Sequence, residues 1–119
     1  MANIMIVDDE PDVRLVVRMV LEKAGHEVVE ANGAEECIER LSKAPVDLVF
    51  VDIRMPGMDG WQMVKAIKKY QENIPVAMLT VEPLTQETLE GKEIKDLADY
   101  ITKPFSSEDI VEVVKQISD

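Results

Sequence analysis

Apolar residues in this chain fall in short unbroken runs that alternate with stretches of helical spacing. Ile4 to Val7 is a continuous apolar run, the pattern of a strand buried on both faces. Pro11 then suits a first helical turn, and Val13, Val16, Val17, Val20, Leu21 and Ala24 recur at the spacing of one helical stripe. Gly25 is a natural stop just past that helix. Glu27 to Ala31 reads as a second strand. Ala34, Cys37, Ile38 and Leu41 mark one face of a second helix, with Pro45 beyond its end. Leu48 to Val51 is a third strand.

Gly60 to Tyr70 is a third helix, with Met63, Ala66, Ile67 and Tyr70 on one side. Pro75 to Leu79 is a fourth strand ending at Thr80. A fourth helix is expected from about Thr85 to Leu97, weakened by Gly91, which costs ~1 kcal/mol relative to Ala inside a helix. Asp99 to Thr102 is a fifth strand. Ser106 with Asp109 three residues on resembles a capping box, opening a last helix with Ile110, Val113, Val114 and Ile117 on its core face. Five βα units in a row predict an α/β protein with a parallel sheet covered on both faces. Ligands of such sheets bind outside the carboxyl ends of the strands.

Composition adds little to that architecture but narrows function. The chain has 119 residues, enough for a single core, so one domain over 1–119 is expected. A net charge of −11 disfavours direct nucleic-acid binding, which needs Lys and Arg to neutralise phosphates. No apolar run is long enough to span a membrane, and the start "MANIMIVDDE" has no basic segment before its apolar run, so a cytoplasmic protein without a signal peptide is expected. The lone Cys37 agrees with a reducing compartment, and its place on an apolar helix face points to packing rather than redox chemistry.

The strand ends carry the chemistry. Strand one runs into Asp8, Asp9 and Glu10, strand three into Asp52, strand four into Thr80 and strand five into Lys103. In a parallel sheet these meet at one edge. Asp8, Asp9 and Asp52 would repel one another, and a hard divalent cation held by carboxylates, waters and a phosphate oxygen resolves this. A carboxylate nucleophile with Mg²⁺, Lys103 and Thr80 suits phosphoryl transfer, where positioning and charge stabilisation supply most of the catalysis.

The paired acids Asp8 and Asp9, the stretch "DIRMPGMDG" from Asp52 to Gly60, Thr80, and "KPF" from Lys103 to Phe105 together resemble a response-regulator receiver domain of two-component signalling over essentially the whole chain. The resemblance implies a flavodoxin-like (βα)5 doubly wound fold with strand order 2-1-3-4-5. It implies that Asp52 accepts a phosphoryl group from a phosphohistidine on a sensor histidine kinase or histidine phosphotransfer protein, with Mg²⁺ or Mn²⁺ as cofactor. Asp9 and Asp52 match carboxylates that ligate the metal, Asp8 the acid that acts through a water, and Arg54 the position that offers its backbone carbonyl. Thr80 and Lys103 match residues that hold the phosphoryl oxygens. Lys103–Pro104 matches a bond that is cis in the family. Tyr100 matches the aromatic that turns inward when Thr80 moves, re-shaping the face of the fourth helix, fifth strand and last helix for a downstream protein or effector outside this chain. Pro104 and Phe105 border that docking region. Leu15 and Met19 lie nearly opposite the buried stripe of the first helix, and in receivers that helix docks the kinase's phosphohistidine-bearing helices.

Some positions depart from the family pattern. Val81 stands where a small residue is usual, and its stiff β-branched side chain is expected to narrow the approach to the phosphoryl group and slow its hydrolysis. Leu97 occupies a usual glycine place, and the Thr80 to Lys103 spacing is about one residue longer than the family norm. Other residues have plainer readings: Asp59 and Gly60 shape a turn, Trp61 and Tyr70 pack or lie partly exposed, and His26 follows Gly25 in a loop. Competing functions are weaker. An aspartyl-phosphate phosphatase needs a general acid beside its nucleophile, and Ile53 and Arg54 offer none. A flavin or dinucleotide module needs a glycine-rich loop where this chain has "DDEPD". A degenerate receiver acting only through binding would not retain the full set of acids, Thr80 and Lys103. A signalling receiver that catalyses only its own phosphorylation and dephosphorylation is therefore expected, rather than an enzyme acting on external substrates.

Overall fold

Side-chain alternation along the strands divides the protein into two cores. The computed structural model describes residues 2–51, 60–70, 73–80, 99–102 and 106–118. Five parallel strands, β1 (Asn3–Val7), β2 (Glu27–Ala31), β3 (Leu48–Val51), β4 (Val76–Thr80) and β5 (Asp99–Thr102), form one sheet in the order β2-β1-β3-β4-β5. The helices are α1 (Pro11–Lys23), α2 (Ala34–Lys43), α3 (Gly60–Tyr70) and α4 (Ser107–Ser118). The helix expected over Thr85 to Leu97 lies outside the described residues.

Because successive strand residues point to opposite faces, Ile4 and Ile6, Leu48 and Phe50, and Ala77 and Leu79 pack with Val17 and Leu21 of α1 and Ile110, Val113 and Val114 of α4. Met5 and Val7, Val49 and Val51, and Val76 and Met78 pack on the other face with Cys37 and Leu41 of α2 and Met63, Val64 and Ile67 of α3. Four residues, LVFV, make β3 buried throughout, as a central strand covered on both sides requires.

Local chemistry sets the helix limits. Pro11 opens α1 after Glu10 in extended backbone. Its other end is a Schellman closure: the Gly25 N–H donates to the Glu22 carbonyl and the His26 N–H to the Leu21 carbonyl, both at 3.0 Å. Gly25 has φ +97°, a conformation that a Cβ would strain. His26 is an anchor rather than a bare loop residue, since its Nδ1 accepts the Ala2 N–H at 3.0 Å. At α4 the Ser106 N–H donates to the Asp109 carboxylate at 2.9 Å and the Asp109 N–H to the Ser106 hydroxyl at 3.2 Å, closing the capping box.

Three positions differ from their periodicity. Val16 and Ala24 are exposed, so the buried stripe of α1 narrows to Val17 and Leu21 flanked by Val13 and Val20. Tyr70 is exposed at the last residue of α3, while Val64, one residue after Met63, is buried in its stead. The fourth strand begins at Val76, one residue later than Pro75. Cys37 packs in the core, and burial pushes its thiol up to about 12, which keeps it protonated and inert.

Candidate functional site

The register places the carboxyl ends of the strands together. Val7 pairs with Val51, Val51 with Met78, and Thr80 with Thr102. In sequence the residues that follow Val7, Val51 and Thr102 are Asp8, Asp52 and Lys103. Asp52, Arg54, Lys103, Pro104 and Phe105, with Val81 and Leu97, lie outside the described residues. Thr80 and Tyr100 are described by backbone position: Thr80 ends β4, and Tyr100 lies in β5 opposite Met78.

Asp8 and Asp9 are on the turn from β1 into α1, and the carboxylates of Asp8, Asp9 and Glu10 each offer an oxygen within 4.8 Å of the others. Asp8 is buried and Asp9 and Glu10 are exposed, so the cluster opens to solvent from a fixed base. That base is held at several atoms. The Asp8 N–H donates to the Ala31 carbonyl at 3.2 Å, extending the β1–β2 ladder by one residue. The Asp8 Oδ1 accepts the Glu10 N–H at 2.9 Å, an Asx turn. The Asp8 carbonyl accepts a hydrogen bond from Arg14 Nη1.

Arg14 is itself tethered. Its Nε donates to Glu30 Oε1 at 3.1 Å, while Glu30 Oε2 accepts from Arg18 Nη1 at 2.8 Å. Arg18 Nε reaches Glu22 at 3.3 Å. The hydrogen bond from Arg18 holds the Glu30 carboxylate below its ordinary 4.5; partial burial opposes this and Arg14 reinforces it. Glu30 can do this because it pairs with Ile6, which faces α1. Spacing alone does not bring Arg14, Arg18 and Glu30 together; the β1–β2 register does. The third carboxylate, Glu10, was legible in "DDE" but joins the cluster only through the turn.

A three-carboxylate set fits a hard divalent cation. Oxygens of an Mg²⁺ octahedron at ~2.1 Å from the metal stand ~3–4 Å apart, so a small closure of these oxygens suffices. On the outer side of α1, Leu15 and Met19 are exposed at 53% and 60%, and the displaced Val16, at 51%, joins them in one apolar patch near the acid turn. Among the described residues no helix is long and apolar enough to cross a membrane.

A doubly wound sheet with acids at its carboxyl edge is the architecture of a phosphoacceptor signalling module, and the chain belongs to the response regulator receiver domain family, whose model matches residues 4–115. It is 35% identical to the phosphate regulon transcriptional regulatory protein PhoB of Klebsiella pneumoniae over 117 residues, 97% of this chain and 51% of that protein. The chain thus spans about half the length of that relative. It is 33% identical to sporulation initiation phosphotransferase F of Bacillus subtilis, covering 96% of this chain and 91% of that one. Among solved structures, it matches the chemotaxis protein CheY4 of Vibrio cholerae with a TM-score of 0.88 and 31% identity, over 98% of each chain. The protein is a receiver domain of two-component signalling.

Proposed function

We propose that this receiver accepts a phosphoryl group on Asp52 from the phosphohistidine of a sensor kinase or phosphotransfer protein, in an Mg²⁺-dependent step. In that transfer the N–P bond of the phosphohistidine breaks, a carboxylate oxygen of Asp52 forms the new O–P bond, and the histidine leaves as neutral imidazole after taking up a proton. Bound Mg²⁺ would offset the charge gathering on the phosphoryl oxygens. The residues that would hold it are Asp9 and Asp52, Asp8 through a water, and the Arg54 carbonyl. Thr80 and Lys103 would bind the phosphoryl oxygens, and Lys103 would lower the cost of bringing the dianion beside the carboxylates.

The observation that carries this reading is the register of the strand ends. β1 and β3 terminate side by side at Val7 and Val51, immediately before Asp8 and Asp52, and β4 and β5 terminate side by side at Thr80 and Thr102, immediately before Val81 and Lys103. The Leu15–Val16–Met19 patch supports docking of the donor's helices on α1 beside the acids. Movement of Thr80 and Tyr100 would pass the signal to the face of the fourth expected helix, β5 and α4, with Pro104 and Phe105 at its border. The partner reading that face is a downstream protein or an effector domain outside residues 1–119. A cytoplasmic setting fits a phosphohistidine donor.

Incubation with a small acyl phosphate and Mg²⁺ tests the proposal. The wild type gains one phosphoryl group by mass, and Asp52→Ala gains none. A gain that persists in Asp52→Ala overturns it.

A further inference from the structure

We infer that Arg14 is a positioning residue for the acid turn: it holds the Asp8–Asp9 peptide where the carboxylates share one divalent cation. The inference rests on the phosphoacceptor reading and deepens it.

The Asp8 carbonyl is the first atom of the peptide that carries Asp9, so whatever fixes that oxygen fixes the departure of Asp9 from the sheet. Arg14 Nη1 donates to it. The guanidinium is not a loose surface group. Its side chain is only 16% exposed, and Glu30 grips its Nε at 3.1 Å. Glu30 is in turn held by Arg18 at 2.8 Å, and it stands on β2, an element of the sheet rather than of the loop. The acid turn is therefore referenced to β2 at two points: through the Asp8 N–H on the Ala31 carbonyl, and through Glu30 and Arg14. Backbone restraint from α1 comes only one turn later, where the Arg14 N–H donates to the Glu10 carbonyl at 3.2 Å. Without the guanidinium, the Val7–Asp8 peptide would stay pinned to β2 through the Asp8 N–H, while the Asp8–Asp9 peptide would lose the restraint on its carbonyl.

Arg14 has a second physical effect of opposite sign. A guanidinium near a cation site raises the local potential and weakens cation binding. If that charge effect dominated, neutralising Arg14 would tighten Mg²⁺. If positioning dominates, as the geometry indicates, neutralising it loosens Mg²⁺. Groups that orient metal ligands in this way change affinity by about 10–100-fold when removed. The exposed carboxylates here put the expected effect at the lower end, about tenfold.

The experiment compares wild type, Arg14→Met and Arg14→Lys by calorimetric Mg²⁺ titration and by the rate of phosphorylation from an acyl phosphate as Mg²⁺ is raised. Met keeps the aliphatic stem and loses both hydrogen bonds; Lys keeps the charge and can serve one partner. For Arg14→Met the Mg²⁺ dissociation constant rises about tenfold, while the rate at saturating Mg²⁺ stays close to that of wild type. Arg14→Lys recovers part of the lost affinity. A purely structural role would lower the folded fraction and depress the saturating rate without this split. Mg²⁺ binding in Arg14→Met as tight as wild type or tighter, or a loss of rate that saturating Mg²⁺ does not restore, overturns the inference. Should Arg14→Met not fold, unaltered Mg²⁺ affinity in Arg14→Gln overturns it equally and weakened affinity supports it. If wild type itself neither binds Mg²⁺ nor accepts a phosphoryl group, the phosphoacceptor reading fails first, and the two failures are told apart.

Discussion

Replacing Asp9 by Asn removes one charge from a cluster whose carboxylate oxygens lie within 4.8 Å of one another. Asp9 is the suitable member because it is exposed, whereas Asp8 is buried and organises the turn through Glu10. At 4.8 Å in bulk water each like-charge pair costs at least ~0.9 kcal/mol, so relief from Asp8 and Glu10 totals ~1.7 kcal/mol before salt screening. Screening at ordinary ionic strength leaves ~1 kcal/mol. A chain of 119 residues has an unfolding entropy near ~250 cal/mol/K, so ~1 kcal/mol corresponds to ~4 °C in Tm. On the proposed function the wild type, in contrast, would be stabilised by the cation: at ten times its dissociation constant Mg²⁺ would add ~1.4 kcal/mol, or ~6 °C. Thermal unfolding followed by circular dichroism at neutral pH, with chelator and then with millimolar Mg²⁺, reads both effects. Asp9→Asn should melt higher than wild type in chelator and should lose most of the Mg²⁺ shift. A variant that melts lower in chelator, or that keeps the full Mg²⁺ shift, refutes the view that these acids repel one another and are reconciled by a metal.

Ser106→Ala removes the hydroxyl half of the α4 capping box and should lower stability by ~1 kcal/mol, read as a Tm drop of ~4 °C. Glu30→Gln should flatten the acid limb of stability: a carboxylate whose folded pKa is depressed contributes stability above its unfolded value near 4.5 and loses it as pH falls through the lower folded value. Urea unfolding from pH 7 to 3 checks this, and an unchanged slope below 4.5 counts against the Arg14–Glu30–Arg18 network. Leu15→Asp with Met19→Asp should slow phosphotransfer from the kinase while leaving acceptance from a small acyl phosphate unchanged, because both side chains are exposed and outside the acid turn; an unimpaired kinase reaction rules out the α1 dock. Val81→Ala should speed autodephosphorylation, and a rate equal to or below that of wild type would sink the shielding role of Val81.

Much of this protein is settled by nearest neighbours along the chain. The unbroken apolar run LVFV gives β3 its full extent because a central strand covered on both faces has no polar side to show. Gly25 and the Ser106–Asp109 pair stop and start helices because the orphan backbone groups at helix ends are satisfied by residues a few positions away. The chemistry of Asp8 and Asp9 was visible for a related reason: charges directly after a buried strand must serve some purpose. Helix faces were less legible. Val16, Ala24 and Tyr70 have the spacing of core residues, but burial depends on where a helix overhangs the sheet, and that is set by its neighbours. The link from Glu22 through Arg18, Glu30 and Arg14 to the Asp8 carbonyl was beyond any local rule. Glu30 faces α1 only because β2 pairs with β1 in one register, and a shift of one residue would turn it to the opposite face. Short-range chemistry named the acids; long-range strand pairing decided what holds them in place.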